Sequence, residues 1–253
     1  MLKNKNAIVT GCNRGIGRVI VEEFAKNGAN VWACARTPNA EFEAYLAELS
    51  AKYNVWLKPV YFDLCDAAAL KSAVQSIFKE KLPVDILVNC AGVAHGGIFQ
   101  MTPIATIKDV FETNFFAPMA LTQQVLKIML RQKSGNIINF SSIAGQDLKV
   151  GNCAYGVSKA AIAAWSKAIS AELAPYGIRV NAVAPGLTKT DMADLMNEKA
   201  LVDGIESSAM KRIATPTEIA DVVVFLASEK SSFVNGQNIR IDGGGGVLIT
   251  RPT

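Results

Sequence analysis

The stretch Asn6-Ala7-Ile8-Val9-Thr10-Gly11-Cys12-Asn13-Arg14-Gly15-Ile16-Gly17 decides the fold of this chain. Its first five residues read as a buried strand, its centre is a glycine-rich turn, and helical periodicity then runs to about Lys26. A strand that breaks at glycines into a helix is suited to bind an anion. The glycines let a pyrophosphate approach the backbone, and the helix start offers unpaired N–H groups at the positive end of its dipole. The spacing, G-x-x-x-G-x-G, departs from the commoner G-x-G-x-x-G fingerprint, and taken alone it also suits an ordinary strand-to-helix turn.

Downstream, Asn27-Gly28 ends the helix and residues 30–36 read as a second strand. The far end of that strand selects a cofactor. An acidic residue there binds the adenosine ribose 2'-hydroxyl in NAD sites, but this chain has Ala35 and Arg36, and no carboxylate follows until Glu41. Arg36, with Arg14 in the glycine turn, matches a 2'-phosphate instead, so NADPH/NADP+ is favoured over NADH; the plainer reading of either arginine is a solvated surface residue. Helical spacing at residues 40–52, a strand at 55–62, a helix at 67–79 and a strand at 84–89 follow. This β-α-β alternation predicts an α/β fold of Rossmann type: a doubly wound parallel sheet with helices on both faces and ligands along its carboxyl edge. One domain spanning residues 1–253 is expected.

Composition narrows the classes. Half of the 253 residues are hydrophobic and 19% are charged, which fits a packed globular chain. A scattered net charge of +4 without a Lys/Arg run gives nucleic-acid binding little support. The cysteines at 12, 34, 65, 90 and 153 form no C-x-x-C pair, so the expectation is free thiols, no metal, and a cytoplasmic compartment. The apolar runs are too short for a membrane span.

In the second half, Tyr155-Gly156-Val157-Ser158-Lys159 lies in an alanine-rich helical segment, 153–174, that puts Tyr155 and Lys159 on one face. A free phenol has a pKa near ~10, and an adjacent ammonium is expected to lower it toward use as a general acid or base. A helix over residues 103–132 containing Asn114 and a strand over 136–140 ending at Ser141-Ser142 precede it. Strands at 178–184 and 237–241, with a helix at 217–228 between them, complete the pattern.

With Gly11-x-x-x-Gly15-Ile16-Gly17, Asn89-Cys90-Ala91-Gly92, Ser142, Tyr155, Lys159 and Pro185-Gly186 in this order, the chain resembles the short-chain dehydrogenase/reductase family from about Lys5 to Gly244, and its 3-oxoacyl-carrier-protein reductase branch most of all. The resemblance implies a sheet of about seven strands, a homotetramer and an NADP(H)-dependent oxidoreductase. It implies that Asn114, Ser142, Tyr155 and Lys159 are catalytic. Ser142 bonds the carbonyl oxygen, Tyr155 gives it a proton, Lys159 tunes the tyrosine and binds ribose hydroxyls, and Asn114 holds a water that replenishes the proton. Cofactor contacts are implied for Gly11, Asn13, Arg14, Gly15, Ile16, Gly17, Arg36, Asp63, Leu64, Asn89, Ala91, Gly92, Pro185, Gly186, Thr188 and Thr190. Asp63 meets adenine, Asn89 braces the central strands, and the two threonines hold the carboxamide. Cys90 departs from the family's usual second asparagine but is small and uncharged. Ser141 competes with Ser142 as a turn-forming hydroxyl.

Residues 187–212 are expected to form a substrate lid. His95, Gln146 and Met192 join Ser142 and Tyr155 as candidate substrate contacts; for His95 the competing reading is a plain loop residue. Two arginines that dock acidic carrier proteins in the family stand here as Lys133 and Tyr176. The expected substrate is a 3-oxoacyl thioester, with an acyl carrier protein as a possible partner. Another small ketone, a sugar or a polyol is the enzymatic alternative, and a catalytically silent nucleotide sensor or scaffold the non-enzymatic one.

Overall fold

The computed structural model describes residues 1–190 and 198–245, without side chains for 198–200. Met192 therefore lies outside the described residues, as does part of the expected lid. Seven strands form one parallel sheet in the order β3-β2-β1-β4-β5-β6-β7. They are β1 (Asn6–Thr10), β2 (Asn30–Ala35), β3 (Leu57–Tyr61), β4 (Ile86–Asn89), β5 (Gly135–Phe140), β6 (Ile178–Pro185) and β7 (Asn238–Ile241). The order reverses between β1 and β4, which opens a crevice at the carboxyl edge, the usual ligand position in such sheets.

Alternation along the strands builds a core on each face. Ala7, Val9, Val31 and Val88 point toward helices α1 (Gly15–Lys26), α2 (Ala40–Tyr53) and the helix Pro216–Ala227, meeting Phe24, Phe42 and Val223. Ile8, Trp32, Leu87 and Ile137 point the other way, onto Val74 of α3 (Ala67–Lys79) and onto Leu121 and Val125 of the helix Ala117–Gln132. These strands are buried on both sides, which explains their continuous apolar runs. Short polar side chains start the helices: Asn39 accepts from Glu41 N and Phe42 N, and Asp66 from Ala68 N and Ala69 N. At one sheet edge β3 carries an exposed Pro59, which has no N–H to offer.

One expectation needs correction. The helix expected over residues 103–132 is interrupted: α4 (Ile104–Phe111) passes through a π-helical turn, Glu112–Phe116, into α5 (Ala117–Gln132). Within the turn Ala117 N donates to Glu112 O, five residues back. Pro118 supplies a physical reason, since it has no N–H for the Asn114 carbonyl four residues earlier. The long helix α6 (Cys153–Leu173) then carries Tyr155 and Lys159, α7 (Glu198–Glu206) lies within the expected lid, and α8 (Pro216–Ala227) opens with a Thr215/Glu218 capping box.

Candidate active site

The glycine turn after β1 is a main-chain cradle. Gly11 and Gly15 have φ of +75° and +57°, values that favour glycine. A Cβ on Gly17 would run into the Gly11 carbonyl, and one on Gly11 would lie 2.9 Å from Ala91 Cα, so this turn, α1 and the loop after β4 close on one another only without side chains. Thr10 fixes that approach by accepting at Oγ1 from both Cys90 N and Ala91 N at 3.1 Å. No side chain caps α1, whose extended preceding residue is Arg14. Its first N–H groups face the turn with Ile16, as phosphate binding requires.

The second strand's end meets the same turn. Asn39 Nδ2 donates to Asn13 Oδ1 at 3.2 Å, which joins the loop carrying the exposed Arg36 to the glycine turn carrying the exposed Arg14. Nearby, Glu41 is engaged by Arg18 at 3.2 Å. Asp63 forms a turn by accepting from Cys65 N at 2.8 Å, leaving an exposed carboxylate beside half-buried Leu64. Across the crevice, Thr188 Oγ1 donates to Gly186 O at 3.0 Å and Thr190 Oγ1 to Thr188 O at 3.3 Å, which shapes the turn after Pro185. A Cβ on Gly15 would lie 3.6 Å from Thr190 Cγ2, so this second turn reaches the phosphate cradle. The glycines, the uncapped helix start and the arginine pair fit a phosphorylated dinucleotide.

Asn89 braces the central strands as expected: Nδ2 donates to Asn139 Oδ1 at 2.8 Å on β5 and to Thr122 Oγ1 at 3.1 Å on α5. Its amide nitrogen is thus used inside the sheet, while its buried Oδ1 has no hydrogen-bond partner among the described residues. Beyond β5 the two serines separate. Ser141 Oγ donates to Val183 O at 2.9 Å and bonds Asn238 Oδ1 at 2.7 Å, pinning β5 to β6 and β7. Ser142 starts the short 3-10 turn Ile143–Gly145, accepts from Ala144 N at 3.1 Å, and hydrogen-bonds Tyr155. Ser142 is therefore the serine that faces the tyrosine.

Lys159 is 5% exposed, and its Nζ donates to Phe140 O at 2.8 Å. A Cβ on Gly92 would lie 3.2 Å from this Nζ and 3.1 Å from Asn114 Oδ1, so lysine and asparagine flank one glycine. Burial lowers the lysine pKa to about 8, opposed by the neighbouring Cys90. The expected pull of Lys159 on Tyr155 is corrected here. Burial raises the phenol pKa, only the Ser142 hydrogen bond opposes it, and the lysine Nζ lies 5.9 Å from the ring centroid with its proton directed to Phe140. Burial also drives the Cys90 thiol up to about 12, leaving it neutral beside the lysine.

The Asn114 side chain is engaged within the fold. Oδ1 accepts from Val93 N at 2.8 Å, while Nδ2 donates to Val93 O at 2.9 Å and to Ser158 Oγ at 3.1 Å. These bonds clamp the loop after β4 to α6, while Pro118 leaves the Asn114 main-chain carbonyl without an N–H donor four residues on. Pro118 was the signal in the sequence. Gln146 is likewise engaged, accepting from Arg240 Nη1 at 3.1 Å, an interaction across 94 residues that no local pattern reveals. His95 is half-buried in the loop after β4, and its buried Nε2 has no hydrogen-bond partner among the described residues. A bridge from Gly97 to Asn152 ties that loop to the start of α6.

A dinucleotide cradle at a switch point, with Ser142, Tyr155 and Lys159 gathered beside it, defines an oxidoreductase that works on C=O and CH–OH groups. Comparisons with known proteins give the particular lineage. The family described as enoyl-(acyl carrier protein) reductase matches residues 11–245, and the chain belongs to the short-chain dehydrogenase/reductase family. It is 34% identical over 243 residues to the 3-oxoacyl-[acyl-carrier-protein] reductase of Aquifex aeolicus, covering 96% of this chain and 98% of that one. Among solved structures, a provisionally assigned gluconate dehydrogenase from Agrobacterium tumefaciens superposes with a TM-score of 0.92 at 30% identity, covering 98% of each chain. A single-residue variant of actinorhodin polyketide ketoreductase with NADPH gives 0.87 at 31% identity, covering 95% of this chain and 96% of that one. Among the described residues, no helix is long and apolar enough to cross a membrane, and no cluster suited to a metal ion occurs.

Proposed function

We propose that this enzyme reduces a 3-oxoacyl thioester to the 3-hydroxyacyl form with NADPH. The observation that carries the cofactor choice is Arg36, exposed at the end of β2 where an NAD site has a carboxylate and joined to the Arg14 turn through Asn13 and Asn39. The nicotinamide, when bound, supplies the hydride. Ser142 and Tyr155 donate hydrogen bonds to the carbonyl oxygen as negative charge develops on it, and Tyr155 transfers its proton there. Lys159, whose pKa burial lowers to about 8, would hold the ribose hydroxyls of the cofactor and stand as the proton source beside Tyr155, with the Asn114 carbonyl as an acceptor nearby.

Support for an acyl substrate comes from the rim of the crevice, where Val93, Phe99, Leu148, Val150 and Met210 are large, apolar and exposed. The Aquifex relative bears the 3-oxoacyl reductase name. Lys133, in the left-handed conformation at the end of α5, lies against Gly177 beside the half-exposed Tyr176, a pair that offers one cation to an acidic carrier. The gluconate dehydrogenase neighbour favours a second reading, a sugar acid or polyol substrate. Assembly as a homotetramer, through the helices that begin near Pro103 and Cys153, and a cytoplasmic site of action belong to the same proposal. The test is NADPH oxidation with acetoacetyl groups on carrier protein and on coenzyme A, beside simple ketones and sugar acids. Preference for the carrier form is expected; turnover of sugars alone would refute the thioester assignment, and turnover of none would refute the ketoreductase reading.

A further inference from the structure

Outside the catalytic residues, a dense polar cluster surrounds Arg240 near the end of β7. Its guanidinium grips Asp147 with a fork, Nη1 to Oδ1 at 3.0 Å and Nη2 to Oδ2 at 2.7 Å, and Nη1 also donates to Gln146 Oε1 at 3.1 Å. Nε and Nη2 donate to Asp242 Oδ2 at 2.8 and 2.5 Å, and Nη2 to Gly245 O at 3.0 Å. These partners belong to three different parts of the crevice. Gln146 and Asp147 close the turn that Ser142 begins, with their amides donating to Ile143 O. Asp242 lies against the Pro185-Gly186 turn: a Cβ on Gly186 would be 2.9 Å from Asp242 Cα, and Gly186 N donates to Ile241 O at 2.9 Å. Gly243, which opens the glycine run after Asp242, accepts at its carbonyl from Met210 N and Ser208 Oγ at 3.1 Å each, on the segment that returns from the expected lid.

We propose that Arg240 is a positioning residue, which holds the Ser142 turn at a fixed separation from the Pro185-Gly186 turn. The sheet does not do this by itself. Sheet bonding on the β5 side ends with Ser141 N donating to Val183 O, and beyond it the turn is held by its own short-range bonds and by α6, through the Ser142–Tyr155 hydrogen bond and the packing of Ala144 and Gly145 on Gly156 and Ala160, none of which reaches the Pro185-Gly186 turn. A guanidinium–carboxylate fork restrains orientation as well as distance, and so fixes the plane in which residues 142–147 end. Both side chains are about one-third exposed, at 29% and 36%, so the pair adds little to global stability and acts through geometry. Misplacing a reacting group by an ångström costs on the order of 100-fold in rate. The inference rests on the ketoreductase reading for its kinetic readout alone.

The test compares wild type with Arg240→Ala and Asp147→Asn, using NADPH titration, steady-state kinetics on the best ketone substrate, and amide hydrogen exchange of the full chain. The expected result is a fall in kcat of tenfold or more with the NADPH Kd within twofold. Exchange should rise at residues 143–147 and not in the strands. Methylguanidinium should restore kcat to Arg240→Ala in a concentration-dependent way, as wild type has no site for it. Unchanged kcat and unchanged exchange would overturn the proposal. So would equal losses of kcat, NADPH affinity and strand protection, which mark a residue needed merely for folding. Where Arg240→Ala does not fold, Asp147→Asn decides by the same criteria. Absence of turnover in wild type would count against the ketoreductase reading, while exchange at 143–147 would still decide the positioning claim.

Discussion

Replacing Lys159 with Met should abolish turnover and make the protein more stable at neutral pH. The lysine head is buried, and its pKa falls from 10.5 to about 8. At ~1.4 kcal/mol per unit, burial of the ammonium destabilises the folded state by about 3 kcal/mol. Against this, the variant leaves the Phe140 carbonyl without its donor, a loss of about 1 kcal/mol. A net gain of about 2 kcal/mol is expected at pH 7. The sign follows from proton counting. Below pH 8 both folded and unfolded chains hold the proton, and the full penalty is present. Between about 8 and 10.5 the unfolded chain holds more protons than the folded one, so wild-type stability rises with pH. The methionine variant has nothing to titrate there, so its advantage shrinks across that window and is gone by its upper end. Urea unfolding of both proteins without cofactor, at one protein concentration from pH 6 to 10.5, measures the difference directly. A difference flat in pH, or a variant less stable at pH 7, would refute a buried lysine with a depressed pKa.

Three further outcomes are expected. Tyr155→Phe should lower kcat by about 100-fold or more while NADPH still binds; retained turnover would remove the tyrosine from the proton path, and an unchanged biological role despite lost turnover would favour the sensor alternative. Arg36→Ala should weaken NADPH by at least ~10-fold and NADH by less than about twofold, the charge-assisted contact being made only to the 2'-phosphate; equal losses contradict the assignment. The neighbouring serines should part company: Ser142→Ala lowers kcat by roughly 100-fold with ordinary stability, whereas Ser141→Ala costs about 1 kcal/mol in denaturant unfolding and keeps turnover. The reverse pattern would exchange their roles.

What the sequence made legible was whatever local chemistry dictates. The strand–glycine–helix stretch at Asn6–Gly17 and the helix Ala67–Lys79 were readable because burial on both faces and 3.6-residue spacing leave direct marks. The order of Ser142, Tyr155 and Lys159 was readable through resemblance, and the fold does bring them together. What escaped depended on backbone groups and distant partners. A π-helical turn differs from an α-helical one in hydrogen bonding more than in composition, so only Pro118 marks the change at Asn114. Lys159 turns to a main-chain oxygen, Phe140 O, which no residue type announces, and burial raises the phenol pKa where the sequence predicts lowering. The bond from Arg240 to the Gln146 amide oxygen spans 94 residues of chain, and no local pattern carries it.

The two borders of the sheet are unequal. β3 meets solvent with Lys58 and Pro59 at its middle, and a strand laid alongside would find a charge and a missing donor. β7 has no proline and only four residues, Asn238 to Ile241. Growth of the sheet by an added strand is thus opposed at the β3 border, while among the described residues the short β7 border beside Arg240 carries no such device. A fusion partner or reporter strand for this protein therefore belongs away from β7, where an added ladder would pull on the same turn that carries Ser142.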